Sequence, residues 1–190
     1  MAGPDRNLRR AWVVLVLAAV LLGCAGDKGV RAIDFVAPSG SRLIEGVPFF
    51  PQEAYQCGPA SLAGVLQYYG DRVTPEEIAP SIFRKELGGA VTLDMVLYAR
   101  QRGFGAEWYS GGLPDLHRAV TGDAPLIVMV DQGFAGLSRL HFMVTVGYRP
   151  EGVVVNSGRS RGQVIEWQAF LGQWRRTNYW TLRLTPKHGL

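Results

Sequence analysis

The hydrophobic period of the chain changes at Ala124, and few folds accommodate that change. Before it, apolar residues recur at helical spacing. Leu62, Val65, Leu66 and Tyr69 fall at i, i+3, i+4 and i+7, with Gly70 placed to stop the helix. "TPEEIAPSIF" opens with Thr74 as N-cap, Pro75 at the first helical position and Glu77 three residues after the cap, a capping box. "VTLDMVLYARQRG" repeats the device with Thr92 as cap and Gly103 as stop, and "LPDLHRAVTG" reads as a short helix after the strand-like "FGAEWYS". After Ala124, "PLIVMV", "LHFMVTVGY" and "GVVVN" are short, rich in Val and Ile, and bounded by Gly, Pro or Asp. "EWQAFLGQW" follows as a last helix and "YWTLRL" as a last strand. A helical first half and an antiparallel sheet in the second half make an α+β domain without internal repeat.

The first residues are a separate unit. Arg6, Arg9 and Arg10 precede the apolar run Ala11–Leu22, and "LLGC" closes it at residues 21 to 24. The run is shorter than the roughly 18 residues of a spanning helix, so it reads as a signal sequence rather than a permanent anchor. "LLGC" resembles the lipobox of bacterial lipoproteins, which implies acylation of Cys24 and cleavage after residue 23. A plain secretory signal cut near Ala25 is the alternative. Residues 25 to 45 hold the breaker cluster "APSGS" and no sustained period, and read as a tether. The expected organisation is therefore a signal peptide at 1–23, a lipidated tether at 24–45 and one domain at 46–190.

Losing residues 1 to 23 removes three arginines and Asp5, so the formal net charge falls from +4 to +2. The basic character is partly a property of the signal. "GRSRG" and "QWRRT" are short basic runs of the kind found on solvated faces, and nucleic-acid binding is not inferred.

The chain has two cysteines. An oxidising compartment would allow them to pair, but acylation of Cys24 removes that option and leaves Cys57 as an unpaired thiol. Cys57 stands just before Pro59 at a helix start, where free N–H groups and the macrodipole favour negative charge, so a thiolate is expected. Of the three histidines, His117 shares a helix whose buried face is Leu113, Leu116 and Val120, and His188 is near the C-terminus. His141 begins the strand "HFMVTVGY" and is the candidate base.

An imidazole needs an acceptor on its second nitrogen, and Asn156 in "VVVNSG" is the candidate. Either plausible hairpin turn leaves His141 and Asn156 on one face of the sheet. A turn between Tyr148 and Arg149 puts them opposite each other, whereas one at Pro150 and Glu151 separates them by roughly 13 Å. Asn156 also fits a strand-ending turn.

"PQEAYQCGPASLAGVLQYYG", "HFMVTVGY" and "VVVNSG" together resemble the bacteriocin-processing (double-glycine) peptidase family of papain-like cysteine proteases. The resemblance implies a papain-like fold with Cys57 as nucleophile, His141 as general base, Asn156 as orienting residue and Gln52 lining the oxyanion hole. It implies a peptide or protein substrate and no metal or cofactor. His-Glu-x-x-His, Gly-x-Ser-x-Gly and phosphate-loop motifs are absent from the sequence. The expected protein is a lipid-anchored cysteine peptidase on the periplasmic face or outer membrane of a bacterial envelope. A peptidoglycan amidase or acyl transferase using the same thiol, and a peptide-binding lipoprotein without turnover, are the rival readings.

Overall fold

A computed structural model describes residues 38–51, 56–84 and 89–186. The expected signal sequence, Cys24, most of the expected tether, Gln52 and His188 lie outside the described residues.

The first described element is β1 (Arg42–Leu43), and α1 (Cys57–Tyr68) is the next. α1 is the centre of the fold. Every residue from Gly58 to Leu66 is buried, and Leu62, Ala63, Val65 and Leu66 are fully so. Burying a leucine of this kind contributes roughly 1.5–3 kcal/mol. Gly64 is needed where the preceding segment crosses, because a Cβ there would sit 2.8 Å from the Pro48 carbonyl oxygen.

α2 (Pro75–Ile82) starts with the expected capping box, Thr74 Oγ1 accepting from Glu77 N–H and the Glu77 carboxylate accepting from Thr74 N–H. A small antiparallel pair follows, β2 (Phe83–Arg84) against β3 (Gly89–Ala90). α3 (Thr92–Gln101) begins one residue earlier than expected: Val91 is the N-cap, Thr92 is already helical, and no side chain caps this end. Gly103, with φ +87°, ends it. Arg102 then clamps the nearly buried Asp71 carboxylate with two hydrogen bonds of 2.8 and 2.6 Å, tying the end of α3 to the turn after α1.

The rest is β4 (Gly105–Ser110), α4 (Leu113–Thr121), β5 (Leu126–Asp131), β6 (Leu140–Arg149), β7 (Gly152–Ser157), β8 (Ser160–Glu166), α5 (Trp167–Arg175) and β9 (Trp180–Thr185). The large sheet runs β4-β9-β5-β6-β7-β8, and every neighbouring pair is antiparallel. The α+β expectation is met. β8 was not foreseen, because its "SRGQVIE" is an edge strand with mostly exposed residues and gives no alternating signal.

The domain also starts earlier than residue 46. β1 pairs with the edge of β6 that β5 has left, Arg42 opposite Tyr148 and Leu43 opposite Gly147, and Ile44 is buried with its N–H on the Val146 carbonyl at 2.7 Å. Gly147 permits this approach, since a Cβ there would lie 2.4 Å from the Arg42 carbonyl oxygen. Residues 42 to 45 therefore belong to the folded domain, not to a tether.

Candidate active site

Cys57 is the first residue of α1 and is partly buried. Its position depends on Gly58, whose absent Cβ would stand 2.4 Å from that of Ala90. The helix start is thus pressed against the β2–β3 pair, and Phe142 lies beside it. β7 pairs with β6 only as far as Val144 opposite Asn156, and beyond that point the backbone N–H of Phe142 is directed at the Cys57 sulfur. This contact puts the thiol beside the residue that follows His141.

The expected thiolate is not the resting form. N–H groups of Phe142, Gly58 and Cys57 itself favour charge on sulfur, but burial outweighs them and pushes the thiol above its ordinary value. His141 is displaced in the complementary sense. Burial, with a smaller effect from the charge on Arg139, lowers its pKa to about 4. Near neutral pH the site therefore holds a neutral thiol and a neutral imidazole. Among the described residues no hydrogen bond joins the two.

The largest departure from expectation concerns the acceptor on His141. The β6–β7 turn is at Pro150 and Glu151, since Arg149 faces Gly152. An uninterrupted ladder from that turn would place Asn156 opposite Thr145, on the face of His141. A β-bulge at Val146 breaks the ladder: Gly147 pairs with Val154, but Thr145 pairs with Val155. Asn156 consequently faces Val144 and has turned to the other side of the sheet. There its Oδ1 accepts from the Gly162 N–H at 3.0 Å, where Arg161 and Gly162 bulge opposite it in β8. Asn156 braces the β7–β8 ribbon and does not contact His141.

The same shift turns Ser157 toward the histidine. Ser157 is 7% exposed, and its Oγ lies 2.9 Å from His141 Nε2. The sequence held a sign of this in the Ser beside Asn156, but the choice between them depends on the bulge. His117 is exposed, stacks on Tyr148, and places Nε2 3.2 Å from that hydroxyl, at the opposite end of β6 from His141. Among the described residues there is no cluster of three or more His, Cys, Asp or Glu side chains able to hold a metal.

The Peptidase_C39 like family model matches residues 44–181, most of the chain. The chain belongs to this family. It is a family of cysteine-type peptidases, and the solved neighbours share its papain-like fold. A C39-like peptidase from Bacillus anthracis is 17% identical, with a TM-score of 0.63 over 77% of this chain and 98% of that one. The peptidase domain of Streptococcus ComA, a bi-functional ABC transporter of a quorum-sensing pathway, is 23% identical, with a TM-score of 0.62 over 75% and 100%. A double-glycine motif protease from an AMS/PCAT transporter, solved with its leader peptide, is 24% identical, with a TM-score of 0.59 over 77% and 99%. No curated protein sequence matches the chain. The family match begins at residue 44, in agreement with the buried Ile44 and the β1 pairing.

Proposed function

We propose that this C39-like domain is a lipid-anchored peptidase of the bacterial envelope, with Cys57 as nucleophile, His141 as base and Ser157 as the residue that orients His141. The observation that carries this reading is the 2.9 Å contact of Ser157 Oγ with His141 Nε2. When Nε2–H donates to Ser157, the lone pair is on Nδ1, the nitrogen left for the thiol.

The Cys57 thiol gives its proton to Nδ1 as sulfur attacks the carbonyl carbon of a peptide bond. The imidazolium passes that proton to the leaving nitrogen, the C–N bond breaks, and an amine departs from a thioester on Cys57. His141 then takes a proton from water as the hydroxyl oxygen attacks the thioester, releasing a carboxylic acid and restoring the thiol. Ser157 accepts from Nε2–H throughout. Gln52 and the Cys57 N–H are the proposed donors to the oxyanion.

Acylation at Cys24 would hold the protein on a membrane, each buried methylene contributing roughly 0.8 kcal/mol. A peptide substrate is supported by the solved double-glycine motif protease, which was captured with a leader peptide. An unbiased mixture of peptides incubated with the full chain tests the reading. Cleavage lost in Cys57→Ala is the expected result, and release of peptidoglycan amides with no peptide cut would replace peptidase by amidase. Mass analysis of membrane-derived protein tests the anchor, which fails if Cys24 carries no lipid.

A further inference from the structure

The ribbon joining β5 and β6 continues past the sheet toward solvent, next to His141. Its register is unbroken: Val130 faces His141, Asp131 faces Leu140, the Gln132 N–H reaches the Arg139 carbonyl at 2.9 Å, and Phe134 bridges Leu137. Ala135 and Gly136, with φ +51° and +83°, make the turn at its end. This is a two-stranded arm. The Asp131 carboxylate accepts from Gly133 N–H, Ser138 Oγ and Arg139 N–H, at 2.7, 2.9 and 2.8 Å, and locks its base.

The arm holds two large apolar side chains in water, Phe134 at 86% and Leu137 at 78% exposure. Side chains two apart on a strand share a face, so Leu137 and Arg139 are on the face of His141, with Phe134 across from Leu137. The Arg139 charge is close enough to His141 to lower its pKa. At about 3.4 Å per residue, Arg139 is about 7 Å and Leu137 about 14 Å along the strand from His141.

On the peptidase reading His141 hands its proton to the leaving amine, which puts the half of a substrate that departs first on the side of this arm. Resting on the peptidase reading above, we infer that the arm selects the leaving-group half of the peptide. It takes an acidic residue at about the second position after the cleaved bond and a bulky apolar residue at about the fourth. Arg139 supplies the charge, and Phe134 with Leu137 supplies the apolar seat. An extended peptide has the same rise per residue as the strand, which sets the spacing.

The test uses the full chain in detergent and a random peptide mixture, with cleavage sites aligned by mass spectrometry. Enrichment of Asp or Glu near the second position and of Leu, Ile or Phe near the fourth is expected. Arg139→Glu should shift the preference between Asp and Lys peptides by about tenfold. The double variant Phe134→Ser, Leu137→Ser should lose the apolar preference, with KM rising more than kcat falls. Both sites are exposed, and Arg139→Gln, expected to abolish the Asp preference without inverting it, serves if the reversal disturbs folding. No preference in the leaving half, or one that Arg139→Glu leaves intact, would overturn the inference. So would an arm whose variants change only binding to vesicles. Peptide binding to Cys57→Ala, followed by anisotropy, separates the two claims. The same preference in binding without hydrolysis by the wild type would sink the peptidase reading and keep the arm, and neither binding nor hydrolysis would overturn both.

Discussion

Cys57 is held by a helix and His141 by a pair of strands, and the two supports tolerate error differently. α1 is buried from Gly58 to Leu66, so packing along its whole length resists a change of register and fixes where its first residue, Cys57, stands. On the strand side the period is two, and one extra residue sends a side chain to the opposite face. The bulge at Val146 does this to β7, turning Asn156 away from His141 and Ser157 toward it. The helix sets position, whereas the bulge decides which residue meets His141.

The largest effects should fall on the residues that each support presents. Cys57→Ala is expected to abolish turnover, and His141→Ala to lower it about 10²- to 10⁴-fold in a folded protein. Retained hydrolysis in either variant would remove that half of the site.

The contrast between a charge-favouring helix start and a burying environment is sharpened by the pH dependence of alkylation. A raised thiol pKa means that thiolate becomes abundant only at alkaline pH. Iodoacetamide reaction at Cys57 should therefore climb about tenfold per pH unit between pH 6 and 8, by about 10² in all. His141, neutral above about 4, supplies no imidazolium in that range to flatten the curve. A fast rate independent of pH between 6 and 8 would mean that thiolate and imidazolium coexist at rest.

Stability variants separate the supports in another way. A chain starting at residue 46 loses β1 and the buried Ile44, and should be about 2–3 kcal/mol less stable to urea than one starting at residue 38. Equal stability would return residues 42 to 45 to the tether. Gly58→Ala drives a methyl into Ala90 and should cost about 1–3 kcal/mol, with a loss of activity as the start of α1 moves.

The elements with strong local signals were legible in the sequence. The capping box at Thr74 and Glu77 is present as expected, and so are the apolar strands β5, β6, β7 and β9. Cys57 was placed at a helix start from the Gly-Pro pair that follows it, and the α+β order followed from the change of period. What escaped depends on contacts distant in sequence. β1 is two residues long and exists because Gly147 lets it approach, and β8 is an exposed edge. The bulge that exchanges Asn156 for Ser157 has no local mark, since "HFMVTVGY" and "GVVVN" alternate equally well with or without it. The charge state departs from expectation because the helix-start effect is local, whereas the burial that raises the Cys57 pKa comes from the packing around the helix start.

The most direct test of the account compares Ser157→Ala with Asn156→Ala on one cleaved peptide, after both are shown to be folded. Loss of the hydrogen bond to His141 should lower kcat/KM about tenfold in Ser157→Ala. Asn156→Ala should leave turnover within about twofold and instead lower stability by about 1 kcal/mol, because the Gly162 N–H loses its acceptor. A turnover defect in Asn156→Ala, with Ser157→Ala unaffected, would contradict the account.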